Sequence, residues 1–183
     1  VIFTSDHGDY CGAHGLYCKG VPAFREAYHV PCVLRWPQGI QHAGRTVDEF
    51  VSLADFAPTF ADLGGAAALG ETTGRSLAPF LRGETPADWP QEVHAQFNGV
   101  ELYYSQRSVT TKRFKYVYNG FDFDELYDLQ KDPHEMVNLA DDPACAEVKR
   151  DLCRRVWRFA AREKDHMLFN GYATVAMAPF GPG

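Results

Sequence analysis

The chain has 183 residues, 45% hydrophobic and 23% charged, an ordinary globular composition that excludes a disordered polypeptide. Lys and Arg number 18 against 24 Asp and Glu, a net charge of −6, and no basic run exceeds Lys112-Arg113, so nucleic acid is excluded as the main partner. No apolar run approaches a bilayer span, and the length fits one domain or slightly more.

The chain opens in mid-strand. Val1 to Ser5 is apolar and β-branched, and domains rarely begin on a buried strand without a lead-in. The sequence therefore reads as the C-terminal part of something longer. A second strand is predicted from His29 to Trp36, closed by Pro37-Gln38-Gly39, with a short helix over Ala23 to Tyr28 between the two. That order predicts a parallel, helix-covered sheet.

Ser52 to Gly65 reads as a helix with Asp55 as N-cap, Phe56, Phe60 and Leu63 on one apolar face, and Gly64-Gly65 as its end. Residues 66–92 look like a long connection that holds a helical turn near Ser76 to Leu81. Further on, Arg107 to Thr111, the Lys112-Arg113 turn and Phe114 to Tyr118 read as a hairpin with alternating aromatics. Glu125 to Leu129 follows as a third strand. Pro143 then opens a helix to about Lys164, with Val148, Leu152, Val156, Phe159 and Ala160 at helical spacing.

The densest polar cluster runs from Thr4 to Gly20, directly after the first strand. Asp6 offers a hard oxygen and His7 a nitrogen, a pairing acceptable to a divalent cation. His14 and Lys19 add a proton donor and a fixed cation, suited to an anionic substrate. On residue types alone the same stretch also reads as a capped turn with solvated side chains.

Five cysteines, an odd count without a CxxC pair, read as free thiols, though Cys11 and Cys18 leave room for a disulfide or reactive thiol beside the cluster. Cys153 reads as core. Tyr103, Tyr104, Tyr116 and Tyr118 fit sheet packing better than ligand stacking. Asp122, Asp124 and Glu125 read as a solvated tip rather than a calcium loop. His42, His94, His134 and His166 read as superficial.

The order of residues in the cluster adds to this. Ser5-Asp6-His7-Gly8-Asp9, then Gly12-Ala13-His14-Gly15-Leu16, then Lys19-Gly20, resembles the metal-and-sulfate loop of type I, formylglycine-dependent sulfatases of the alkaline phosphatase superfamily. Four later segments resemble the same enzymes in the same order: Val30 to Pro37, Val51 to Thr59, Gly74 to Glu84, and Glu125 to Leu129 with Asp132-Pro133-His134-Glu135. His29 departs from the pattern, standing where an arginine is common.

The resemblance implies an α/β fold. Residues 1–95 would form part of an alkaline-phosphatase-like mixed sheet covered by helices, at the C-terminal end of the catalytic domain. Residues 96–183 would form a small antiparallel sheet packed on a helix. It further implies that Asp6 and His7 bind a divalent metal, commonly Ca2+ with Mn2+ or Mg2+ as alternatives. His14 and Lys19 would be catalytic and substrate-binding residues facing the sulfate ester of a small molecule or carbohydrate.

The formylglycine precursor, Cys or Ser in Cys/Ser-x-Pro-x-Arg, is absent, since none of the 11 prolines has Cys or Ser two positions before it. The resemblance places it in an N-terminal half, which becomes the expected partner of this chain. A phosphonate monoester or phosphodiester hydrolase of the same superfamily, or a non-catalytic fragment pairing with another polypeptide, are the other readings.

Overall fold

The computed structural model describes residues 1–99, 105–120 and 122–169. Two units can be distinguished, residues 1–6 with 30–93 and residues 7–29 with 94–183.

In the first unit, β1 (Ile2–Thr4) pairs with β2 (Cys32–Leu34), with Ile2 opposite Leu34 and Phe3 opposite Val33. The pairing is antiparallel, where the sequence predicted a parallel one. The reason lies in the connection, whose one α-helix, α1 (Arg25–Tyr28), has four residues. At 1.5 Å per residue that is about 6 Å of helix, so the 27-residue connection is mostly loop and lacks the long helix that usually carries a parallel crossover. Reciprocal Val1–Arg35 backbone bonds of 2.8 Å extend the ladder by one step.

The next helix starts after Asp55 as predicted, but a capped 3₁₀ turn leads into it. Ser52 Oγ accepts from the Ala54 N–H and the Asp55 carboxylate accepts from the Ser52 N–H at 2.7 Å. This capping box starts a 3₁₀ turn, Leu53–Asp55, that runs into α2 (Phe56–Leu63). Asp55 is thus the reciprocal partner of the cap. The predicted apolar face is corrected as well. Phe56 packs on a core of Leu77, Phe80 and Trp89, but Phe60 and Leu63 are 56% and 39% exposed. The buried residue of α2 is Thr59, whose hydroxyl donates to Asp55 O and accepts from the Leu77 N–H. The predicted turn at 76–81 is α3 (Ala78–Leu81).

The second unit is built on a four-stranded sheet in the order β3-β4-β5-β6. β3 (Glu92–Phe97) was not predicted; it begins at the unit boundary. β4 (Gln106–Thr111) and β5 (Phe114–Asn119) form the predicted hairpin, with Val109 opposite Tyr116, and β6 (Glu125–Asp128) places Leu126 opposite Tyr116. These three side chains are fully buried. α4 (Ala146–Arg162) lays Leu152, Val156 and Ala160 against them as predicted, together with Cys153 and Trp157. Each large apolar side chain so buried contributes about 1.5–3 kcal/mol. Asp142 caps the 3₁₀ turn Pro143–Cys145 that leads into α4, and α5 (His166–Phe169) follows.

The smaller expectations divide. Tyr116 and Tyr118 are sheet-packed, Tyr118 edge-on to Trp157 at 4.9 Å, while Tyr103, Tyr104 and the segment 170–183 lie outside the described residues. The acidic tip is not simply solvated: Asp124 accepts the Tyr116 hydroxyl at 2.8 Å and Glu125 accepts the Tyr127 hydroxyl at 2.8 Å. His42, His134 and His166 are exposed, and His94 stacks on Phe159 at 3.9 Å. Among the described residues no helix is long and apolar enough to cross a membrane.

Candidate active site

The unit boundary falls between Asp6 and His7, so Asp6 closes the turn after β1 and the other three predicted site residues belong to the loop of the second unit. Asp6 is exposed, with the Ser5 hydroxyl 3.4 Å from its Oδ1.

The loop is tied by its own backbone. Gly8 N–H donates to Ala27 O, Tyr10 N–H to Cys18 O and Gly12 N–H to Leu16 O, each at 2.8 Å. Tyr10 plugs it from within, 3% exposed, its hydroxyl donating to Pro22 O at 2.5 Å. Turns this tight need left-handed backbone. Gly12 at φ +96° takes it without strain, whereas Cys11, His14 and Cys18 hold φ values of +50° to +63°.

His7 and Lys19 are brought together. Nδ1 of His7 lies 2.8 Å from Gly8 O. A carbonyl only accepts, so Nδ1 carries the proton and the lone pair sits on Nε2. The Lys19 ammonium meets Nε2 at 2.7 Å.

His14 stands apart from that pair in its contacts. Its imidazole lies flat on the Phe24 ring, centroids 3.6 Å and planes 3° apart. Its Nε2 is 3.7 Å from Glu26 Oε2, a buried oxygen without a hydrogen-bond partner. A small approach would make that a charge-assisted hydrogen bond. Phe24, Tyr10 and Glu26 were not singled out from sequence. An aromatic within the polar loop was the available signal for Tyr10.

The thiol question is answered in part. None of the five cysteines is in a disulfide. The Cys11 thiol is pushed up by its hydrogen bond to the Asp9 carboxylate, which disfavours the reactive thiolate. Among the described residues, no three His, Cys, Asp or Glu side chains gather closely enough to hold a metal by themselves.

Residues 12–162 match the family of the N-sulphoglucosamine sulphohydrolase C-terminal domain. The N-acetylglucosamine-6-O-sulfatase of Bacteroides thetaiotaomicron is 31% identical over 173 residues, covering 91% of this chain and 31% of that protein. The solved structure of a 2-O GAG sulfatase superposes with a TM-score of 0.84 at 32% identity, over 91% of this chain and 37% of that one. The phosphonate monoester hydrolase of Agrobacterium radiobacter superposes with a TM-score of 0.81 at 33% identity, over 88% and 34%. The chain spans about a third of the length of the curated relatives it matches. It belongs to the N-sulphoglucosamine sulphohydrolase C-terminal family, among the sulfatases of the alkaline phosphatase superfamily.

Proposed function

We propose that this chain contributes the metal- and sulfate-binding residues of a sulfatase that hydrolyses a sulfate monoester, with a sulfated carbohydrate as the substrate class. The observation that carries this reading is the convergence of His7 Nε2 and the Lys19 ammonium in a loop whose residue order matches the sulfatases. The sulfated sugars handled by related enzymes support the substrate class.

Asp6 and His7 are proposed as ligands of a divalent cation, Ca2+ first among the candidates. The donor set fits: a carboxylate, and an imidazole whose Nδ1–H donates to a backbone carbonyl so that Nε2, which faces Lys19, carries the ligating lone pair. When bound, that cation supplies positive charge against the sulfuryl oxygens.

Lys19 holds the sulfate as a compact point charge, and offsets negative charge that builds up in the transition state. His14 faces the ester oxygen and protonates the leaving alcohol, its imidazole lying flat on Phe24 with Nε2 3.7 Å from Glu26 Oε2. The formylglycine nucleophile is expected in a part of the enzyme outside these 183 residues.

The similarity to a phosphonate monoester hydrolase favours one other reading, hydrolysis of a phosphonate or phosphate diester at the same loop. Rates of the complete enzyme on an aryl sulfate and on an aryl phosphonate monoester separate the two. Faster sulfate hydrolysis is expected; a faster phosphonate reaction would reassign the substrate.

A further inference from the structure

Lys115 and Glu135 form an ion pair in the second unit, Nζ to Oε1 2.9 Å, with side chains only 5% and 2% exposed. Burial holds the Lys115 ammonium below its ordinary value, and the Glu135 charge partly offsets this. Buried pairs of this kind are often replaceable by apolar side chains of similar volume without loss of stability, so stability alone does not explain one.

What apolar side chains cannot do is grip peptide groups, and this pair grips two. The Lys115 ammonium donates to Ala23 O. Glu135 Oε2 accepts from the Arg25 N–H at 2.9 Å, and Arg25 Nη1 adds a bond to Pro133 O at 3.1 Å. The residue between the two anchors is Phe24, the ring on which His14 lies. Glu135 itself is held at φ +55°, a conformation that a glutamate adopts only when its surroundings impose it.

We infer that Lys115 and Glu135 are positioning residues for His14: by fixing the peptide groups on both sides of Phe24 they set the plane of the imidazole. The catalytic consequence rests on the role proposed for His14, whereas the positioning itself is a property of the chain.

The test is the double variant Lys115→Met/Glu135→Leu, which removes both charges while keeping the core filled. In NMR spectra of the complete enzyme, selectively isotope-labelled, the His14 ring protons should be shifted upfield by Phe24 and show NOEs to its ring. In the double variant those NOEs should vanish and the His14 signals should move toward free-imidazole positions, while the Val109 and Leu126 methyl signals stay in place. A His14–Phe24 NOE pattern unchanged in a folded double variant overturns the inference.

If the double variant does not fold, Glu135→Gln takes its place. It keeps the Arg25 acceptor and weakens the hold on Lys115, so weaker NOEs support the inference and unchanged ones overturn it. In the complete enzyme the double variant should lower kcat about 10²-fold, the scale of a catalytic group displaced by about 1 Å, with KM nearly unchanged. Where His14→Ala lowers turnover, unaltered kcat in the double variant overturns the inference. His14→Ala in the same assay keeps the two readings apart: full turnover there would remove the catalytic role of His14, and the NMR comparison would still decide the positioning.

Discussion

The Lys19 ammonium sits 2.7 Å from Nε2 of His7, on the lone pair left available by the hydrogen bond between Nδ1 and Gly8 O. Lys19 thus lies beside the imidazole nitrogen that the proposed reading assigns, with Asp6, to holding a divalent cation. The Asp6→Ala variant of the complete enzyme should lose most of its bound metal. His7→Ala should lose less, though still at least the 10–100-fold typical of damage to a ligand's supporting shell. Elemental analysis checks both, and unchanged metal content in Asp6→Ala would contradict the assignment.

Gly8 is required by space. A Cβ built there would lie 1.8 Å from Glu26 O and 3.3 Å from Ala27 Cα, both backbone atoms that cannot swing away. Gly8→Ala should therefore push the loop off residues 26–27, break the Gly8–Ala27 hydrogen bond and cost about 1–3 kcal/mol. Hydrogen exchange over residues 8–20 should accelerate in this variant, with the α4 amides unaffected. Unchanged exchange in the loop would count against the close packing.

A pH dependence follows from Arg107 and Asp165, bonded through Nε at 2.6 Å and Nη2 at 2.9 Å. Burial pushes the Asp165 carboxyl up, but the Arg107 bonds prevail and hold it below its ordinary 3.8. The folded value is then lower than the unfolded one, so the stabilisation is present above about pH 4 and is lost as the pH falls through the folded value. Arg107→Met leaves the carboxylate buried without its partner and should cost about 3–5 kcal/mol at neutral pH. Urea unfolding at pH 7 and pH 3 should show the gap to the unsubstituted chain narrowing in acid. A constant gap would contradict the ion-pair account.

How much of this was legible depended on the range of the interactions. The β4–β5 hairpin and α4 carry their own periods, so Val109, Tyr116, Leu152 and Val156 could be placed in the core from local pattern alone. β3 was legible too: Val93, Ala95 and Phe97 alternate with Glu92, His94 and Gln96, but the proline-rich stretch before them obscured it. The helix cap was ambiguous because Ser52 and Asp55 both suit an N-cap, and the box they form uses both.

Other features were out of reach. The sense of the β1–β2 pair depends on where the chain returns after 27 residues, which no local pattern encodes. Lys115 lies on an aromatic strand and carries no local sign of its burial. Its burial depends on Glu135, 20 residues on. The site loop was found through residue order, whereas its supports, Phe24 and Glu26, are set by three-dimensional contact with His14.

The most direct test of the central proposal is the turnover of an aryl sulfate by the complete enzyme carrying Lys19→Ala. If Lys19 holds the sulfate and offsets its developing charge, kcat/KM should fall by roughly 10²-fold or more with the fold retained. Lys19→Arg should recover little of it, because a planar fork does not replace a compact ammonium. Near-normal turnover in Lys19→Ala would show that the lysine beside His7 is a surface residue and that this loop does not form the sulfate site.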